Sequence, residues 1–321
     1  MQPLDGPLPN FFIVGAPKAG TTSLYYYLDQ HPEVYMSPIK EPCYFASEIR
    51  PENFSEEYQD QVRSDLESLR EYLDGPMRER RPGGMVLEWE QYRRLFRNAR
   101  EERAIGEASV AYLWSESAAA NIAAEIPRAR ILMVLRDPAE RAFSQYLHMV
   151  TGGIVGRPFR DQVEASLRGG CHRFGPAYPF LEFGLYYEQV RRFLEHFPRD
   201  RVHICLYEDY RGRQTEVLAD IFRFLEVSPE FSPDTSEKHR QARVPRSLAG
   251  GYILKRLGIW QAARKVCPPA WMPKLRAAAL RPPKALAMEP REREVLVEYY
   301  RHDVRRLEGL LNRDLGAWLK V

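Results

Sequence analysis

Cysteine is scarce in this chain. Four in 321 residues (Cys43, Cys171, Cys205 and Cys267) stand far apart, with no Cys-x-x-Cys pair and no histidine cluster beside them. That spacing argues against a disulfide-stapled scaffold and against a structural zinc site, and fits a reduced compartment. Long apolar runs are also missing. Nothing approaches the ~18 consecutive apolar residues that a membrane-spanning helix requires. The opening MQPLDGPLPN has neither the basic nor the apolar region of a secretion signal. An excess of charge of one sign is absent too, since 47 basic and 44 acidic residues leave a net +3. That balance excludes a nucleic-acid-binding tail or a polybasic membrane anchor. A cytoplasmic enzyme is the expectation, with no nucleic-acid partner, no membrane span and no metal.

What remains is ordinary globular material: 44% hydrophobic, 12% aromatic and 28% charged, enough to bury a core. The apolar run Phe11-Phe-Ile-Val14 ends in a glycine-rich turn and leads into a helical stretch through Tyr25 to Gln30, which reads as strand, loop and helix. Ile131–Leu135 is a second such run, followed by a helix from about Pro138 to Met149, and Val202–Tyr207 a third, preceded by a helix over Tyr187–His196. Strands that feed helices in this way predict an α/β fold, a P-loop-like three-layer α/β/α arrangement on a mainly parallel sheet. Residues 1–321 read as a single domain. Residues 48–104 form a charged, helical insert, and residues 244–290, with Pro268-Pro269 and Pro282-Pro283, an irregular flap-like segment. Glu289–Leu319 carries apolar residues at three- and four-residue steps, the mark of a closing amphipathic helix.

The sharpest local pattern is Gly15-Ala16-Pro17-Lys18-Ala19-Gly20-Thr21-Thr22. A glycine-bounded loop between a strand and a helix aims several backbone N–H groups at one point, where the helix dipole adds positive character. Lys18 supplies a full charge, and Thr21 and Thr22 add hydroxyls. A triphosphatase loop has the form G-x-x-x-x-G-K-[ST]. Here the Gly15–Gly20 gap is kept, but the lysine lies inside the loop at 18 and a threonine follows Gly20. That arrangement suits a single 5' phosphate without a metal. A P-loop kinase or triphosphatase stays open as the rival, as does a module that binds a nucleotide without catalysis.

A second pattern follows Leu135: Arg136-Asp137-Pro138, with Ser144 one to two helical turns later and His148 four residues beyond it. An arginine leaving the carboxyl end of a strand and a hydroxyl on the next helix suit a separate phosphate.

FFIVGAPKAGTTSL resembles the 5'-phosphosulfate loop of sulfotransferases that use 3'-phosphoadenosine 5'-phosphosulfate (PAPS). The Arg136/Ser144 spacing is similar to that family's 3'-phosphate motif. Together they look like a bacterial-type member related to the heparan sulfate N- and 3-O-sulfotransferase branch. The resemblance implies cofactor contacts from Ala16, Pro17, Lys18, Ala19, Gly20, Thr21, Thr22, Arg136 and Ser144, with Lys18, Glu41 and His148 as catalytic residues. Glu41, in Lys40-Glu41-Pro42-Cys43-Tyr44-Phe45, falls where those enzymes carry a glutamate base. The S-x-x-x-H spacing of Ser144 and His148 resembles the N-sulfotransferase branch. Lys238–Ser247 is similar to a late loop that closes on the cofactor, with Arg243 the best match and Arg240 beside it. Glu107, in a G-E-x-S-x-x-Y-L element, orients a basic group, binds the acceptor or serves as a structural hydrogen-bonding residue. The chain departs from the Golgi enzymes in lacking an N-terminal anchor and a C-terminal disulfide loop. The implied reaction moves a sulfuryl group onto a hydroxyl or amine of a small-molecule, carbohydrate or carrier-attached acceptor. Tyr58, Tyr72, Trp89, Tyr92, Trp260 and Trp271 are the aromatic candidates for contacting it.

Overall fold

A computed structural model of the chain describes residues 6–169, 179–236, 244–245, 247–256, 280–281 and 286–321. In chain order the strands are β1 (Phe11–Gly15), β2 (Val34–Met36), β3 (Ile39–Lys40), β4 (Arg81–Pro82), β5 (Ala104–Ala108), β6 (Arg130–Leu135) and β7 (Val202–Leu206), with Val244–Pro245 and Leu280–Arg281 pairing as a further two-stranded ribbon. Five of them form one sheet in the order β2-β5-β1-β6-β7, every pairing in it parallel. Alternate side chains on a strand point to opposite faces, yet all five residues of β1 and of β5 are buried. Both faces of the sheet are therefore covered, the condition under which parallel sheets occur.

The flanking helices are α1 (Thr21–Asp29), α2 (Glu56–Asp74), α3 (Trp89–Arg94), α4 (Ala118–Glu125), α5 (Pro138–Thr151), α6 (Phe159–Leu167), α7 (Tyr186–His196), α8 (Tyr207–Gly212), α9 (Gln214–Phe224), α10 (Leu248–Arg256) and α11 (Pro290–Leu311). The architecture is the α/β/α layering expected from the alternation of apolar runs and helical stretches. The insert over residues 48–104 contributes α2, β4 and α3, and β4 pairs with β3. Most of the segment 244–290 lies outside the described residues.

The central strand depends on a close approach. Gly106 of β5 sits opposite Phe11 of β1, and a Cβ at Gly106 would fall 2.3 Å from the Phe11 ring. Only glycine leaves room for the ring there.

The closing amphipathic stretch is shorter than its periodicity suggests. Helix α11 ends at Leu311, where Asn312 turns left-handed at φ 50°, a common way for a helix to stop. A separate 3-10 turn, Gly316–Leu319, then buries Trp318, whose ring lies 6.1 Å from that of Tyr186. Among the described residues no helix is long and apolar enough to cross a membrane.

Candidate active site

The strand order reverses around β1, because the chain passes to β5 on one side of it and to β6 on the other. In open parallel sheets ligands bind beyond the carboxyl ends of the strands at such a reversal. The loop after β1, Arg136 after β6 and Tyr207 after β7 all lie on that edge. Glu41 joins them from the side, since its backbone N–H donates to the Ala108 carbonyl at the end of β5, 2.7 Å away. With strands about 4.8 Å apart, the edge reads in order: carboxylate, phosphate loop, arginine, aromatic ring.

The loop itself has the geometry expected of an anion site. Its turn is tied to the sheet by the Ala16 N–H on the Val134 carbonyl, 2.7 Å away. Gly20 caps α1 at φ 87° and has no side chain to occupy the helix end. The amides of the first turn of a helix have no acceptor within it, so those of α1 face the concavity. A Cβ on Gly20 would meet the rings of Tyr207 and Tyr210 at 3.2–3.3 Å. Lys18 also has a left-handed backbone, at φ 67°. Pro17, Lys18 and Thr22 are half-buried; Ala16, Ala19 and Thr21 are buried. These features fit one phosphate.

The second motif docks onto the first. The Arg136 guanidinium donates from Nη1 to the Lys18 carbonyl at 3.0 Å. It also lies 4.7 Å over the Tyr207 ring and reaches Glu140 from Nη2 at 3.4 Å. Asp137 caps α5 by accepting from the N–H groups of Ala139 (2.9 Å) and Glu140 (3.2 Å), and takes a third hydrogen bond from Arg293 of α11 at 2.7 Å. This fixes the direction of α5 and hence of its open face. Arg141, Ala142, Gln145, Tyr146, Met149 and Val150 are buried in α5; Ser144 is half-buried and His148 exposed, one helical turn apart.

On the other side, Glu41 holds a left-handed backbone at φ 70°. Its carboxylate accepts from the Lys40 ammonium at 2.6 Å, with the lysine side chain 8% exposed and the glutamate 35%. The pair is thus a buried cation under an accessible carboxylate. Glu107 proves different from a ligand-binding group. It is fully buried and accepts hydrogen bonds from the hydroxyls of Tyr112 (2.7 Å), Ser109 (2.8 Å) and Tyr92 (3.0 Å), with no basic side chain among these donors. Burial raises its carboxyl to about 7 against the pull of those three hydroxyls. Of its three expected roles, only the structural hydrogen-bonding one agrees with this environment.

The aromatic candidates separate as well. Tyr92 is buried with its hydroxyl on Glu107, so it faces the core and not an acceptor. Trp89 is half-buried and lies parallel to Tyr92 at 5.6 Å, and Tyr44 stacks on Tyr92 at 4.8 Å. Tyr72 is half-buried and donates to the Glu79 carbonyl at 2.5 Å. Nothing is described of the Tyr58 side chain, and Trp260, Trp271, Arg240, Arg243, Cys171 and Cys267 lie outside the described residues. Cys43 and Cys205 are free thiols, both buried. Among the described residues no cluster of His, Cys, Asp and Glu suits a metal ion.

Sequence reasoning passed over Tyr207, placed a Lys40–Glu41 pair at the surface, and did not name the hydroxyl partners of Glu107. Tyr207 had a signal: it closes the third apolar run, where a strand meets the ligand edge. Burial of Lys40 under Glu41 had none, because only the tertiary fold reveals it.

A parallel sheet, a glycine-bounded loop after β1, an arginine hydrogen-bonded to that loop and a carboxylate tied to the end of β5 define a P-loop-like α/β protein. A model of the sulfotransferase family matches residues 9–232, and the chain belongs to that family. A crystal structure of a sulfotransferase from Alicyclobacillus acidocaldarius superposes with a TM-score of 0.71 at 32% identity, covering 98% of this chain and 100% of that one. The chain is 28% identical over 256 residues to carbohydrate sulfotransferase 15 of Rattus norvegicus, covering 69% of this chain and 44% of that protein. It is 27% identical over 238 residues to the bifunctional heparan sulfate N-deacetylase/N-sulfotransferase of Drosophila melanogaster, covering 69% and 20%. The match thus spans under half the length of these two curated relatives.

Proposed function

We propose that this sulfotransferase takes a sulfuryl group from PAPS and transfers it to a hydroxyl or amine of a carbohydrate or other small acceptor, with Glu41 as general base. The observation that carries this reading is the hydrogen bond from Arg136 to the Lys18 carbonyl. It welds two anion-binding motifs into one site, which suits a ligand phosphorylated at two separate points. The carbohydrate acceptor rests on relatives named for carbohydrate and heparan sulfate.

In this reading the loop amides and Lys18 hold the 5' phosphate, while Arg136 and Ser144 hold the 3' phosphate. When bound, the donor supplies an electrophilic sulfur whose displacement leaves adenosine 3',5'-bisphosphate. Glu41 removes the acceptor proton as the acceptor atom approaches sulfur. Lys40, buried beneath it, holds the carboxylate in place. Lys18 and the loop amides meet the negative charge that grows on the departing phosphate, a preorganised stabilisation where one donor is typically worth about 10²–10³ in rate. His148, exposed a turn beyond Ser144, steadies the transferring sulfuryl oxygens.

Calorimetric titration with adenosine 3',5'-bisphosphate and, separately, with ATP and magnesium tests the donor. Tight bisphosphate binding that Lys18→Ala or Arg136→Ala abolishes is the expected result. ATP binding without bisphosphate binding would overturn the PAPS assignment and leave the kinase alternative standing. For the base, Glu41→Gln should lower kcat by about 10² or more with bisphosphate affinity intact. Near wild-type turnover would refute its role.

A further inference from the structure

The turn that carries Glu41 is conformationally costly. Glu41 at φ 70° and Cys43 at φ 55° are both left-handed, on either side of Pro42. Residues with a Cβ avoid that region, and such a geometry persists only where its surroundings over-determine it. Three backbone amides of the segment are tied down. Glu41 N–H goes to the Ala108 carbonyl, an ordinary main-chain bond. The other two end on side chains: Cys43 N–H donates to Ser109 Oγ at 3.0 Å and Phe45 N–H to Tyr112 Oη at 3.3 Å. Both hydroxyls in turn give their protons to Glu107, at 2.8 and 2.7 Å. A hydroxyl can present its lone pairs to an amide only when its own proton points elsewhere. The Glu107 carboxylate is where both protons point.

We propose that Glu107 is a positioning residue for catalysis: by orienting Ser109 and Tyr112 it fixes the backbone of Cys43 and Phe45, and so the left-handed turn that aims Glu41 at the acceptor. The proposal rests on the reading of Glu41 as the base. Tyr92 adds α3 of the insert to the same carboxylate, at 3.0 Å, so the insert and the base-bearing turn share one anchor. Its complete burial explains why Glu107 serves through its neighbours and touches no ligand.

Hydrogen exchange on the intact protein reads the claim without any acceptor. Glu107→Ala should speed exchange of the Cys43 and Phe45 amides about 10-fold or more, a local opening. The amides of residues 20–22 and the affinity for adenosine 3',5'-bisphosphate should stay unchanged. Glu107→Gln keeps the shape but only one acceptor oxygen, where Ser109 and Tyr112 use different oxygens, so it should restore slow exchange at one of the two amides and not at both. In turnover with PAPS and desulfated heparan sulfate, Glu107→Ala should lower kcat about 10²-fold, the size of effect that a misplaced group produces, with KM for PAPS unmoved. That loss should vanish in a Glu41→Gln background. Unchanged exchange at Cys43 and Phe45, or a kcat loss that simply multiplies with that of Glu41→Gln, overturns the proposal. If Glu107→Ala does not fold, Ser109→Ala and Tyr112→Phe each remove one tie and carry the same two outcomes. Full activity of Glu41→Gln would sink the base assignment itself, a result separate from the exchange measurement.

Discussion

At the scale of single residues, the site depends on contacts that leave little room. Gly20 is left-handed and faces two tyrosine rings at 3.2–3.3 Å, so Gly20→Ala both strains the backbone and pushes on Tyr207. The expected outcome is loss of bisphosphate binding with the fold retained, read by calorimetry beside circular dichroism. Tyr207 also lies under the Arg136 guanidinium at 4.7 Å. Such a contact contributes about 0.5–1 kcal/mol, so Tyr207→Leu should weaken bisphosphate binding about two- to fivefold. An unchanged affinity would mean that Arg136 is held by the Lys18 carbonyl alone. The places of Lys18, Arg136 and Glu41 at one edge of the sheet were legible in the sequence because the cues are local: a loop between strand and helix, a strand end, a matching motif. Glu107 was legible as a motif position with three roles left open, the structural one among them. A carboxylate's function turns on whether it meets water, a cation or three hydroxyls, and no spacing in the chain encodes that.

Among elements, α5 is the part whose placement matters most, because it carries Arg136 at its entry and Ser144 and His148 along its open face. Its start is fixed twice, by the Asp137 cap and by Arg293 reaching from α11 to the same carboxylate at 2.7 Å. Loss of a cap costs about 0.5–2 kcal/mol. Asp137→Ala should exceed the cap effect alone, because it also takes the nearest carboxylate from a guanidinium whose side chain is only 19% exposed, leaving it the Lys320 and Trp318 carbonyls and the more distant Glu140. Thermal unfolding of Asp137→Ala, Arg293→Ala and the double variant tests this. The double variant should be less destabilised than the sum of the singles, and strict additivity would mean that the two helices are held independently. The strands β1, β6 and β7 were readable from apolar runs bounded by polar turns. The edge strand β2 and the short β3 and β4 were not, since two or three residues carry no period. The end of α11 was overrun for a related reason: apolar spacing continues through Leu315 and Trp318, while the chain itself turns at Asn312.

The whole molecule carries buried and half-buried carboxyls whose effect on stability has a definite sign. Burial raises Glu107 from 4.5 to about 7, and raises Asp303, which accepts from the Tyr186 and Tyr187 amides at the start of α7, from 3.8 to about 6. In each case the folded protein holds a proton more tightly than the unfolded chain. Their contribution is therefore fully present below the unfolded values and is lost as pH rises through about 6 for Asp303 and about 7 for Glu107. Glu48, held below its usual range by the Ser115 and Ser117 hydroxyls and backbone despite partial burial, works in the opposite sense and loses its contribution in acid. These opposing groups mask one another in a single pH profile, so the informative quantity is a difference. Glu107→Gln is uncharged at every pH and keeps the size and shape of the side chain. Denaturant unfolding at pH 5 and pH 8 should find the variant gaining on the wild type as pH rises, by on the order of 2 kcal/mol over that interval. A constant difference would mean that Glu107 titrates alike in both states, and that its three hydroxyl donors fully compensate the burial of its charge.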